Sequence, residues 1–115
     1  MAGFTTAVFD ELLATFTGLA AQMSLHTADP GGSGASEVSG PGYSRQTVAW
    51  TAPGGGEVSV DGLVEFEVPA ATTVVYAGFW DDSAGWLGSV ALADPESFAG
   101  PGFLELEPVT IAINN

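Results

Sequence analysis

From Thr5 or Thr6 onward, Phe9, Leu12, Leu13, Phe16 and Ala20 recur at helical spacing, a pattern that predicts one amphipathic helix over residues 5–17. Either threonine suits the N-cap, Asp10 and Glu11 are expected in the first turn, where the helix dipole favours negative charge, and Gly18 is the expected stop. The apolar stripe fits a helix packed on its own core or an arm docked on another subunit.

Beyond this segment the period falls to two, and short apolar runs alternate with turn residues. "QMSLHT" is the first strand expected, and "YSRQTVAW" (residues 43–50) the second, broken by "PGGG". "EVSV" and "LVEFEV" flank Asp61-Gly62, a dipeptide that tight hairpins favour, and in the latter Val64, Phe66 and Val68 face one way and Glu65 and Glu67 the other. "TTVVYAGFW" (72–80) is apolar throughout, as in a central strand buried on both faces. "WLGSVALA" follows the turn "DDSAG", and "FLELEPVTIAI" closes the series with a Pro108 interruption suited to an edge or bulge. The expected fold is mainly β, an antiparallel β-sandwich or barrel of about seven or eight short strands with one N-terminal helix. No internal repeat and no heptads are found.

At 115 residues the chain has the size of one domain, and the expected organisation is a single domain over 1–115, with the β-sandwich over 20–115 and a glycine-rich loop over 30–42. Charge narrows the partners: fourteen Asp and Glu stand against one cation, Arg45, for a net charge of −13. Phosphate binding draws on Lys and Arg, so neither nucleic acid nor an anionic membrane surface is an expected partner. An apolar fraction of 46% argues against disorder and leaves apolar surface to share with neighbours. The absence of cysteine removes disulfides and thiolates. The N-terminal segment has no basic residue and carries Asp10 and Glu11 within its apolar stretch, so it reads as neither signal peptide nor membrane span, and the protein is expected to be soluble and made in a cytoplasm.

Candidate chemistry is sparse. His26, the only histidine, lies in a strand-like run without a nucleophile motif such as G-x-S-x-G, and is read as hydrogen-bonded at a strand end. One histidine and no cysteine cannot build the usual zinc shell. Glu65 with Glu67, and Glu105 with Glu107, sit at i, i+2, roughly 6 to 7 Å apart on one strand face and near glycosidase spacing. Their alternation with apolar residues instead suggests a solvated face. Asp81 and Asp82, with Asp29 or Asp94, lack the D-x-D-x-D-G pattern of a calcium loop. The protein is therefore expected not to be an enzyme and to have no cofactor and no metal. Trp50, Trp80 and Trp86 fit three roles: core and strand-end aromatics, a subunit interface, or a carbohydrate platform.

Leu25, His26, Thr27, Ala28, Asp29 and Pro30, then Glu37, Val38, Ser39 and Gly40, then Tyr43, Arg45 and Gln46 form a run that resembles the small tailed-phage proteins usually labelled phage tail fibre proteins, some of whose relatives look like accessory proteins of phage heads. "TTVVYAGFWDDSAGWLGSVAL" is similar to that family's apolar strand, Gly-aromatic-Trp element, glycine turn and Leu-Gly-Ser strand. The resemblance implies a structural protein of a virion, with no catalytic residues to carry over. It also suggests that residues 30–42 form a flexible, exposed or inter-subunit loop, whose flanking strands are held by His26 and Arg45, with Arg45 paired to Asp29 or Glu37.

Small size, acidity and the lack of a periodic element favour a capsid accessory protein, a decoration or minor capsid component bound outside the major capsid lattice. The alternatives are a tail-fibre or minor tail subunit and, from another class, a β-sandwich carbohydrate-binding module. The expected partners are further copies of the chain, in a homotrimer, and the major capsid protein or tail proteins. The expected location is the virion, after synthesis in the host cytoplasm.

Overall fold

The structure, a computed structural model, describes residues 5–106 and 109–112. Helix α1 spans Thr6–Leu19, capped by Thr5, whose Oγ1 accepts from the Val8 N–H at 3.3 Å. Two details differ from expectation. Asp10 and Glu11 fall beyond the first turn, and the helix passes through Gly18, which has nothing within 4 Å of where a Cβ would lie. Tertiary bonds end the helix instead: Ala20 is buried, the Ala21 N–H donates to the Trp80 carbonyl, and the Val48 N–H donates to the Ala21 carbonyl. Phe9 and Leu13 are buried and Phe16 packs on the core, so α1 lies on its own fold. Asp10 accepts from the Gly56 N–H at 2.9 Å, a second tie.

Among the described residues eight strands follow: β1 (Gln22–His26), β2 (Gln46–Thr47), β3 (Glu57–Ser59), β4 (Val64–Val68), β5 (Thr72–Trp80), β6 (Trp86–Phe98), β7 (Gly102–Leu106) and β8 (Thr110–Ala112). They form a four-stranded sheet in the order β2-β1-β5-β6 and two pairs, β3-β8 and β4-β7, all antiparallel. The fold is mainly β with one helix, as the periodicity predicts. One core gathers Met23 and Leu25 of β1, Ala77 and Phe79 of β5, Phe66 and Val68 of β4, and Leu104 and Leu106 of β7.

The strand expected over 43–50 is reduced to β2, because this stretch changes partners. Gln46 and Thr47 pair with β1, whereas the Thr51 N–H donates to the Ser59 carbonyl and the Asp61 N–H to the Ala49 carbonyl. Asp61-Gly62 does not close a hairpin. It turns the chain from one sheet to another, since β3 pairs with β8 and β4 with β7. The alternation of β4 is as expected, with Val64, Phe66 and Val68 buried and Glu65 and Glu67 exposed. In β5 both faces are buried only from Ala77 to Trp80; residues 72–76 are mixed. β6 is an edge strand and runs on through Pro95, which an edge tolerates. Pro108 and Glu107 lie outside the described residues.

Register explains why β5 is covered twice at one end. Met23 opposes Phe79 and Leu25 opposes Ala77 on the core face, so Ser24 opposite Gly78 and His26 opposite Tyr76 share the other face. That second face is covered by the loop over 30–42.

Candidate functional site

The loop is bonded down along the outer edge of β1. The Val38 N–H donates to the Leu25 carbonyl, the Thr27 N–H to the Ser36 carbonyl, and the Tyr43 hydroxyl accepts from the Leu25 N–H at 3.0 Å. Beyond β2, loop residues thus satisfy backbone groups that an edge strand would otherwise leave open. Pro30 and Val38 are buried. Residues 31–33, 35, 36 and 39–42 are exposed, as one form of the expectation has it, while Pro30 and Val38 anchor the segment to the sheet.

Beneath it runs a chain of polar contacts whose direction is determined by chemistry. The Ala35 carbonyl, 2.8 Å from His26 Nδ1, can only accept, so Nδ1 carries a proton, and in the neutral ring Nε2 is the acceptor. Ser24 Oγ, 2.7 Å from Nε2, therefore donates to it, and itself accepts from Trp80 Nε1 at 2.7 Å. Ser24 and His26 are both 0% exposed. Burial pushes the imidazole below its ordinary pKa, against the raising influence of the Ala35 bond, which favours the neutral ring.

A serine hydroxyl on a histidine nitrogen has the form of a nucleophile and its base. Here, however, the Oγ is sealed from solvent, already accepts the indole N–H, and faces a ring oriented by a neutral carbonyl rather than a carboxylate. The arrangement fixes loop to sheet. Glycines make it fit: a Cβ on Gly78 would lie 2.6 Å from His26 Nε2, and one on Gly34, at φ +77°, would lie 2.6 Å from the Trp80 ring.

Arg45 closes the cluster. Its Nε donates to Glu37 Oε2 at 3.0 Å and its terminal nitrogen to Oε1 at 2.9 Å, a bidentate pair to which the Tyr43 hydroxyl adds a third bond at 2.8 Å. The guanidinium carbon stands 3.6 Å from the centre of the Trp80 ring. Burial alone would raise the Glu37 carboxyl, but the hydrogen bonds from Arg45 and Tyr43 outweigh it and hold the pKa below its ordinary value. The Glu37 bond in turn raises Arg45, and burial pushes the Tyr43 phenol well up.

Of the residues singled out in the sequence, His26, Arg45, Trp80 and Trp86 meet in this cluster. Trp86 contacts both Trp80 and His26 edge-on, at centroid distances of 4.9 and 5.4 Å. Asp29 is not part of it: its carboxylate accepts from the Gly31 N–H and shapes the turn into the loop. Trp50 lies on the core face, against Phe16 and Phe79, with its indole N–H on the Ala20 carbonyl. Sequence reasoning missed Ser24 and the role of Tyr43, although the i, i+2 spacing of Ser24 and His26 already places them on one strand face. Asp81 spends Oδ1 on the Ser83 and Gly85 N–H groups, and among the described residues no group of three or more carboxylates or histidines is arranged to hold a metal.

A family model described as podophage GP4 fiber I protein gp80 matches residues 7–100. A search of curated proteins returns no match. The matched span holds the whole cluster, from Ser24 to Trp86, together with nearly all of α1, and it covers most of the chain. The protein that locks its loop to its sheet in this way therefore belongs to the family of the podophage fiber I protein gp80.

Proposed function

We propose that the chain is a non-enzymatic fibre subunit of a tailed-phage virion that assembles as a homotrimer with the outer face of α1 at the contact. Family membership supports a structural virion protein, and the fibre description favours tail over head. One observation carries the assembly reading. While Phe9, Leu13 and Phe16 turn inward, Val8, Leu12 and Leu19 are 41, 53 and 50% exposed, and Thr15 stands exposed between them.

Residues 8, 12, 15 and 19 follow the 4-3-4 spacing of a coiled-coil seam, with Leu12 and Leu19 at a and the β-branched Val8 and Thr15 at d. Leu at a with a β-branched residue at d shifts assembly from dimers toward trimers or tetramers. The seam spans only residues 8–19, less than two heptads, and it separates from the inner stripe only once the buried side of α1 is known. Sedimentation equilibrium of the wild-type chain and of Leu12→Glu tests it. A trimer reduced to monomer supports the contact, and a trimer unchanged by the substitution removes α1 from it.

A second reading, a capsid accessory protein on the outer lattice, draws on the net charge of −13, which suits an outward surface away from packaged DNA. Immunogold labelling of intact virions separates the two: label on the tail supports the fibre subunit, and label spread over heads supports the accessory protein.

A further inference from the structure

Between β6 and the β7–β8 side of the fold runs an open groove of about 540 Å³, with residues 90–94 and 96 on one wall and residues 104–106, 109 and 110 on the other. Among the described residues, no strand pairs with the outer edge of β6. The register of β6 is broken at the same place. Glu96 opposes Val74 and Ala91 opposes Tyr76, so residues 92–95 stand against Val75 alone. The bulge releases residues 92–94, the middle of the groove wall, from the β5 ladder, while Val90, Ala91 and Glu96 stay paired. Leu92, Leu106 and Val109 contribute apolar surface, and Asp94, Glu96 and Glu105 contribute charge.

We propose that this groove takes an extended segment of another protein that alternates apolar residues with lysine or arginine. Val90 and Glu96 stand opposite Ala77 and Val74, three strand steps or about 10 Å apart, a length that a few extended residues span. Among the described residues the lining carries three carboxylates and no cation. Glu105 also stands directly opposite Glu65 on β4, a like-charge pair that costs stability until a cation comes between them.

A second copy of the chain is the wrong occupant. Its one cation, Arg45, is held by Glu37 and Trp80, so a copy has no spare positive side chain to set against the groove carboxylates. The inference concerns a partner of opposite charge, and it holds whether the chain sits on tail or head.

The test titrates capped nine-residue peptides into the isotope-labelled full chain and follows its amide NMR shifts at low and high salt. The probes alternate Lys with Val, Glu with Val, or Lys with Gly. Expected are saturable shifts at residues 90–96, 104–106, 109 and 110 with the Lys-Val peptide only. Binding should weaken at high salt, and at least tenfold in a D94N/E96Q/E105Q variant, whose exposed substitutions leave the remaining spectrum unchanged. Four outcomes overturn the proposal: no shifts with the Lys-Val peptide, equal binding of the Lys-Gly peptide spread over the acidic surface, undiminished binding to the variant, or groove shifts that grow with protein concentration without peptide. The last would make a second copy the occupant.

Discussion

Arg45 lies over Trp80 at 3.6 Å while its Nε and Nη2 hold Glu37. Trp80 passes the same linkage inward, through its N–H to Ser24 and from there to His26. The only cation and the only histidine, at opposite ends of the loop over 30–42, are thus coupled through one indole ring.

Arg45→Lys keeps the charge but loses the bidentate geometry and the planar stack, so it is expected to cost about 1 kcal/mol. Arg45→Ala should cost about 2 to 3 kcal/mol, because a half-buried Glu37 then keeps only the Tyr43 bond. Urea denaturation of both variants, and of R45A/E37Q, checks this. If the pair is coupled, the double variant should be more stable than the sum of the single losses.

The cluster also sets a pH dependence. The His26 pKa is lowered in the folded state, so the unfolded chain binds the proton more readily, and the stability His26 contributes is complete above its ordinary 6.5 and lost as pH falls toward the lowered value. Glu37, also lowered, contributes above its ordinary 4.5 and loses that contribution as pH falls through its folded pKa, which gives a second, more acidic window. Urea midpoints at pH 7.5 and 5.0 should drop with acidification in the wild type relative to His26→Gln. The comparison cancels the relief of general negative charge, which both proteins share.

Glycines of opposite roles should respond with opposite sign. Gly78→Ala pushes a Cβ to 2.6 Å from both His26 and Trp86, and should cost about 2 kcal/mol and alter the tryptophan near-ultraviolet circular dichroism. Gly18→Ala fills open space within α1 and should stabilise by about 0.5 to 1 kcal/mol without that spectral change. Thermal melts and circular dichroism measure both.

The helix, seven of the strand positions and the alternation of β4 were legible because each depends on local period. Partner choice was not. The stretch over 43–50 reads as one strand but serves two sheets, and Asp61-Gly62 reads as a hairpin turn although the flanking strands pair with β8 and β7, at partners far along the chain from Val68↔Gly102 to Glu57↔Ala112. In the cluster, Glu37 as a partner of Arg45 could be named from the sequence. The choice of Glu37 over Asp29 could not, because it depends on the loop folding back along β1.

The link most sensitive to a single atom is Ser24. Replacing it with Ala removes one oxygen and leaves two buried groups unsatisfied, the Trp80 N–H and His26 Nε2, each at a cost of about 1 to 3 kcal/mol. Ser24→Ala should therefore destabilise far beyond the small volume change, although a side chain of that size fits the site. Trp80→Phe removes the indole donor, and with it one of the two orphans. If the polar chain runs as its geometry requires, S24A/W80F should lose less than the summed single losses by about 1 kcal/mol or more in urea unfolding. Strict additivity would show that Ser24 and Trp80 act independently, and would return the cluster to ordinary packing.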